Sequence, residues 1–253
     1  MGKLLKYELR KTWMAKLIIL GLAAVAELVF LGALFLRNSS GNTDETIGIS
    51  IFLLAFIAIG GIMMIGIQSV LTLHRDMNTK QGYMLYMTPR NSYQILGAKL
   101  MENGLSIFLG GAFFFLLAML DVTLLFSRLG QLELLWQTVR QFLTAFGREI
   151  PLNTAGVLCL VVNLLASWLA AVSIAYLADI ISAALLNGRK FNGFVAFLLF
   201  IALSALLGWI QGLFRFRGMD FNSVVLIQSA VALAYAGIMY FVSAYIMDHY
   251  LSV

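Results

Sequence analysis

The sequence predicts an all-α integral membrane protein, built as a bundle of six transmembrane helices. Of its 253 residues, 61% are hydrophobic and only 11% are charged, whereas a soluble domain needs about 25% charged residues to cover its surface. The apolar runs are continuous over about 20 residues, the length that a helix needs to cross a bilayer. They do not alternate as the strands of a membrane barrel do. Residues 1–253 are therefore expected to form a single transmembrane domain.

The six predicted spans are apolar runs separated by polar or charged segments. They lie near 17–36, 47–73, 100–125, 152–180, 191–213 and 223–247. The second and fourth runs exceed one bilayer thickness, so tilting, kinking or extension beyond the membrane is expected there.

Two further segments have the pattern of amphipathic helices. In residues 2–14, the basic residues Lys3, Lys6 and Arg10 fall on one face while Trp13 falls on another, which favours a helix lying in the headgroup layer. Residues 131–147 repeat apolar side chains at helical spacing. This second helix is expected outside the cell, where it rests on the leaflet, caps the bundle or serves only in packing.

The distribution of basic residues predicts the orientation. Eleven of the 17 Lys and Arg residues fall on the side of the N-terminus, and cytoplasmic loops carry the excess of such residues. Both termini are therefore expected in the cytoplasm, with the chain in the plasma membrane. Because these charges flank the apolar runs, no nucleic-acid partner is expected.

The segment between the second and third spans, residues 73–99, is rich in Met and Tyr, which are enriched where protein surfaces meet. Asp76 or Asn78 is placed to cap a short helix that Pro89 would end. Such a helix would either dock on a partner in the cytoplasm or fold back on its own helix ends.

This segment resembles the first cytoplasmic loop of type-2 ABC exporter permeases. An acidic residue is followed by a Lys- and Gly-containing stretch, a Thr-Pro unit, Ser-Tyr and a Lys. The matching residues are Asp76, Lys80, Gly82, Leu85, Thr88, Pro89, Ser92, Tyr93 and Lys99. The basic N-terminal segment is similar to that family's elbow helix, and six spans with both termini inside fit its layout.

The resemblance implies a transmembrane permease subunit that couples to a separate ATPase. It assigns the coupling role to the loop that contains Asp76, Lys80, Gly82, Tyr83, Leu85, Met87, Thr88 and Pro89, and the membrane elbow to Lys3, Lys6, Arg10 and Trp13. The implied partners are an ABC ATPase, a second permease copy and the lipid bilayer. The resemblance leaves the substrate open among peptides, drugs, lipid-like compounds and glycans. The apolar spans favour an amphipathic peptide, an antimicrobial or a lipid-like compound.

One departure concerns the external side. Many family members have a large external excursion between the last two spans, but here that connection is short and the larger external segment is 128–150. The family's external substrate gate is therefore not carried over to this chain.

The chain itself is not expected to be an enzyme. The phosphate-binding pattern G-x-x-x-x-G-K-S/T does not occur in it, so ATP and Mg²⁺ are expected only on the partner ATPase. No catalytic residue, cofactor or metal site is predicted, since the two histidines and the single cysteine form no ligand pattern.

Glu27 lies in the middle of the first span, where a charge costs several kcal/mol unless it is paired, solvated or protonated. It is predicted either to line the translocation path or to bond a neighbouring helix. Glu102, Asp121 and Asp179 lie nearer the ends of spans and are interpreted as interfacial.

Two alternative functions stay open. An ion- or proton-coupled secondary transporter would need inverted repeats and several ionisable residues near the midplane, and only Glu27 is evident. An intramembrane enzyme or assembly factor would need paired catalytic groups near the spans, and no such pair is evident.

Overall fold

The structure, a computed structural model, describes residues 2–35, 42–78, 91–129, 137, 154–186, 191–214 and 220–251. Within these ranges the chain is helical and contains no β-strand. The helices are α1 (Gly2–Phe35), α2 (Asn42–Asn78), α3 (Ser92–Leu129), α4 (Thr154–Leu186), α5 (Asn192–Leu213) and α6 (Phe221–Ile246), and α6 ends in a π-helical turn (Met247–Leu251).

All six helices are long and apolar enough to cross a membrane. The prediction of six helices long and apolar enough to span a membrane is thereby confirmed, and the chain has the architecture of a multi-pass membrane protein. Neither of the two prolines falls inside a described helix, so no proline interrupts the backbone hydrogen bonds of these helices. Large apolar side chains such as Phe52, Leu116 and Phe241 are more than half exposed on the outside of the bundle, as expected where lipid is the solvent.

The N-terminal segment does not form a separate elbow helix. Residues 2–14 continue directly into the first span as one helix of 34 residues, which is about 50 Å long. The sequence around Trp13 and Lys16 contains no helix breaker. The face that carries Glu8 and Thr12 is buried against other helices, so this segment packs on the bundle instead of lying separately in the headgroup layer.

The two other short helices that the sequence predicts fall largely outside the described residues. The coupling helix is predicted to be capped by Asp76 or Asn78 and to end at Pro89. Both candidate caps lie within α2, and the residues that follow them up to Pro89 are outside the described part of the chain. Of the external helix at 131–147, the structure describes only Gln137.

The bundle has two halves. Helices α1, α2 and α3 pack mainly on one another and form the N-terminal half, and α4, α5 and α6 form the C-terminal half. The two halves meet through α2 and α3 on one side and α4 and α6 on the other. One end of the bundle, here called the N-terminal side, is where α1, α3 and α5 begin and α2, α4 and α6 end.

A buried apolar cluster joins the halves at the N-terminal side. Leu73 and Leu96 of the N-terminal half pack with Ile180 and Met247 of the C-terminal half, and none of the four is accessible to solvent. Burial of side chains this large stabilises the contact by about 1.5–3 kcal/mol each in water. The cluster therefore holds the two halves together next to the loop between α2 and α3.

Candidate functional site

Six charged side chains meet inside the N-terminal side of the N-terminal half. This ion-pair cluster consists of Glu8, Lys11, Lys16, Asp76, Lys99 and Glu102. It contains three acidic and three basic residues, so it is neutral when all six are charged. Charged groups are rarely buried unless they are paired, and each member of this cluster has a partner of opposite sign.

Lys99 is the centre of the first part of the cluster. Its ammonium group lies 2.7 Å from Oδ2 of Asp76 and 3.0 Å from Oε1 of Glu8, and its side chain is only 1% exposed. Lys11 donates to the other carboxylate oxygen of Asp76 at 2.5 Å. One carboxylate at the end of α2 therefore binds lysines from both α1 and α3.

Glu102 is the centre of the second part, one turn further along α3. Its Oε1 accepts hydrogen bonds from Lys16 at 2.5 Å, from Thr12 at 2.7 Å and from Ser106 at 3.0 Å. Lys16 also donates to Ser106 at 2.6 Å. These bonds fix the register of α1 against α3 over two turns.

Helical spacing explains how the sequence builds this cluster. On α1, Glu8, Thr12 and Lys16 recur every four residues and so share one face. On α3, Lys99, Glu102 and Ser106 recur at intervals of three and four residues. Two polar stripes that face each other can form hydrogen bonds and ion pairs with one another without water, which lowers the cost of burying their charges.

The cluster fixes both ends of the loop between α2 and α3. Asp76 lies just before that loop and Lys99 lies after it, yet the two side chains are in contact. Two bonds to α6 hold the start of α3. The amide of Ser92 donates to Oδ1 of Asp248 at 3.3 Å, and the hydroxyl of Tyr240 donates to the carbonyl of Tyr93 at 2.5 Å. The helix ends on both sides of the loop are therefore held by ion pairs and hydrogen bonds, and these contacts are here called the base of the loop.

The other predicted coupling residues lie outside the described part of the chain. They are Lys80, Gly82, Tyr83, Leu85, Met87, Thr88 and Pro89. The four predicted elbow residues are described. Lys3, Lys6, Arg10 and Trp13 are all exposed on the surface of α1, where they can meet headgroups or water but do not take part in the ion-pair cluster.

Glu27 faces Asp121 inside the membrane-spanning part of the N-terminal half. The two carboxyl groups, one from α1 and one from α3, come within hydrogen-bonding reach of each other. Oε2 of Glu27 and Oδ1 of Asp121 are buried, and neither has a hydrogen-bond partner among the described residues. Asp121 also lines a cavity of about 160 Å³ between α1, α2 and α3. The interpretation of Asp121 as an interfacial group did not include this contact with Glu27.

A further pair links the two halves. Nδ1 of His74 on α2 lies 2.6 Å from Oδ1 of Asp179 on α4, and Asp179 is 3% exposed. The sequence interpretation of Asp179 and Glu102 as interfacial groups missed both contacts. The recurrence of Lys99, Glu102 and Ser106 on one face of α3 was the available signal for Glu102, whereas the sequence holds no comparable signal for His74 and Asp179.

The chemistry of the site is electrostatic and positional. Among the described residues, no group of three or more His, Cys, Asp or Glu side chains is arranged to hold a metal ion. The ion-pair cluster fixes helices and a loop, and the Glu27–Asp121 pair places two carboxyl groups beside an apolar cavity.

Compared with protein-family models, curated proteins and solved structures, the chain gives no match.

Proposed function

We propose that this chain is the membrane-spanning permease subunit of an ATP-driven exporter, similar to the type-2 ABC permeases. In this role it forms the translocation path with a second permease copy and couples to a separate ATPase subunit, which binds ATP and Mg²⁺. The excess of Lys and Arg on the N-terminal side supports a cytoplasmic position for that side, in the plasma membrane. The apolar spans favour an amphipathic peptide, an antimicrobial or a lipid-like compound as substrate.

The observation that carries this proposal is the anchoring of the loop between α2 and α3. Of the residues that resemble the family's coupling loop, four are described: Asp76, Ser92, Tyr93 and Lys99. Each of them takes part in a contact that fixes one end of the loop. A loop that transmits force from an ATPase needs a rigid base, since a yielding base would absorb the movement.

The contacts also suggest how movement would spread from the loop. Displacement of Asp76 would act on α1 through Lys11, and displacement of Lys99 would act on α1 through Glu8. Displacement of the start of α3 would act on α6 through Tyr240. ATP-driven closure of the partner ATPases would thus reach both halves of the bundle and change which side of the membrane the path opens to.

The test is a pull-down of the tagged chain from native membranes in mild detergent, with mass spectrometry of the proteins that accompany it. We expect a stoichiometric P-loop ATPase with the unaltered chain. The loop variant Gly82→Pro with Tyr83→Ala should lose that ATPase but remain monodisperse. The matched control is Lys6→Gln, an exposed change on the same side of the bundle, which should retain it. A folded, monodisperse chain without any ATPase would contradict the proposal.

The Glu27–Asp121 pair favours one second candidate, a proton-coupled secondary transporter. Two carboxylates in contact repel each other, so such a pair is expected to share one proton. Ionisable groups inside spans are typical of proton relays. In proteoliposomes without ATPase, transport driven by a proton gradient and lost in both Glu27→Gln and Asp121→Asn would favour this candidate. ATP-dependent export that Glu27→Gln leaves unchanged would remove Glu27 from the path.

A further inference from the structure

A long apolar groove runs along the outer surface between α1 and α2. Its volume is about 450 Å³. It extends on α2 from Phe56 to Leu71 and on α1 from Ala15 to Leu22. Fifteen residues of helix cover about 22 Å, which is longer than one bilayer leaflet of about 15 Å.

Two neighbouring glycines shape the groove. At Gly61 an added Cβ atom would lie 2.7 Å from Cγ2 of Ile19, so this glycine lets α1 approach α2 closely. At Gly60 an added Cβ atom would meet nothing within 4 Å, so the missing side chain leaves open space. Phe56 and Met64 lie one turn to either side of Gly60, and both are more than half exposed. The groove is thus a gap between bulky side chains that faces the surrounding membrane.

Basic residues lie at the N-terminal-side end of this groove. Arg75 is exposed and follows Leu71 by four residues, so it continues the same face of α2. Lys11 precedes Ala15 by four residues on α1 and its side chain is 21% exposed, but its ammonium group is already bound to Asp76. Gln68 adds a polar side chain to the lining between these charges and the apolar part.

We propose that this groove binds an anionic phospholipid from the leaflet on the N-terminal side. One acyl chain lies over Gly60 between Phe56 and Met64, and the headgroup phosphate is held near Arg75. The apolar part of the groove matches the acyl chain of a phospholipid, and the positive charge at its end matches the headgroup phosphate. The lipid site requires only that the helices lie in a bilayer, so it stands whether or not the chain is an exporter subunit.

Native mass spectrometry of the purified chain in mild detergent tests this site. The protein is titrated with dioleoylphosphatidylglycerol or with dioleoylphosphatidylcholine, which share their acyl chains and differ in headgroup charge. One basic residue near the phosphate is expected to favour the anionic lipid by about fivefold. Gly60→Leu fills the groove and should abolish this preferential binding. Gly208→Leu is the matched control, because a Cβ atom there also meets nothing within 4 Å, and it should bind as the unaltered chain does.

A second pair of variants tests the charge and does not depend on the folding of Gly60→Leu. Arg75→Gln should remove the preference for the anionic lipid. Lys6→Gln should keep it, because Lys6 precedes Ala15 by nine residues and so points to the opposite side of α1. Equal binding of the two lipids by the unaltered chain would overturn the proposal. So would unchanged lipid binding by Gly60→Leu, with or without loss of a dimer, since the groove would then hold a second copy or nothing specific.

Discussion

The two halves of the bundle are joined internally by different interactions. In the N-terminal half, buried ion pairs centred on Lys99 and Glu102 link α1, α2 and α3. In the C-terminal half, four buried alanines bring α4 and α6 together: Ala166, Ala170, Ala232 and Ala236. Small residues let membrane helices approach closely and gain van der Waals contact, whereas buried charges tolerate little displacement because each depends on its partner.

The difference indicates a division of labour that fits the proposed function. Ion pairs specify one register of helices at the base of the loop, where force from an ATPase would enter. The four buried alanines, here called the alanine seam, supply a broad and less specific contact between α4 and α6 in the C-terminal half. The changes below test this division, beginning with the one that has the largest expected effect.

Removing the central lysine should damage the N-terminal half most. Lys99→Met leaves Glu8 without its basic partner and leaves Asp76 with only Lys11 among its described partners. Removal of one member of a buried pair costs about 3–5 kcal/mol. The measurement is the thermal unfolding midpoint in detergent. The exposed control Lys3→Met should stay close to the unaltered chain, and similar midpoints for the two variants would contradict the buried cluster.

Overfilling the alanine seam should damage the C-terminal half. Ala232 is not accessible to solvent, so Ala232→Leu forces α6 away from α4 at a cost of about 3 kcal/mol. Ala234 lies on the same helix but is exposed, so Ala234→Leu should be tolerated. Unfolding midpoints of the two variants in the same detergent provide the comparison. An equal effect of both would mean that the seam is not tightly packed.

A single methyl group should loosen the contact between the halves. At Gly66 of α2, an added Cβ atom would lie 2.0 Å from the ring of Trp168 on α4. The indole nitrogen of Trp168 donates to Asn103 of α3 at 3.2 Å, so the ring cannot move without losing that bond. Gly66→Ala should cost about 2 kcal/mol. Gly111→Ala, where the added atom meets nothing within 4 Å, is the control in the same unfolding measurement.

The smallest effect is expected from a hydrogen bond within the C-terminal half. Nδ2 of Asn163 on α4 donates to Oγ of Ser229 on α6 at 3.2 Å. Side-chain hydrogen bonds between membrane helices contribute about 0.6 kcal/mol on average. A double-mutant cycle with Asn163→Ala and Ser229→Ala should give a coupling energy of that size. If a double-mutant cycle on Lys99 and Asp76 gave the same coupling energy, the two halves would not differ in how strongly their polar contacts hold the helices together.

Sequence patterns predicted the six long apolar helices because span length and apolar continuity are local properties. The N-terminal segment was predicted less well. Its basic residues fit a helix at the headgroups. The polar stripe of Glu8, Thr12 and Lys16 shows its role only when α3 supplies the partner Glu102. Periodicity identifies which side chains share a face, whereas it does not identify what that face contacts.

The carboxyl pair illustrates the same limit. Glu27 is conspicuous in the sequence as a charge in the middle of a span, whereas Asp121 lies nearer the end of its apolar run and carries no such signal. The register between α1 and α3 brings the two together, and that register depends on contacts between residues about 90 positions apart, such as Thr12 with Glu102. No local pattern in one sequence carries that information.

The most direct test of the proposed function compares how much partner ATPase is retained by two destabilised variants that are equally folded. Lys99→Met is expected to cost about 3–5 kcal/mol and Ala232→Leu about 3 kcal/mol, and of these two residues only Lys99 contacts the base of the loop. In pull-downs at a temperature where both variants are equally folded, Lys99→Met should lose most of the P-loop ATPase, while Ala232→Leu should retain it. Equal retention by the two variants would contradict the claim that the ion-pair cluster anchors a coupling loop.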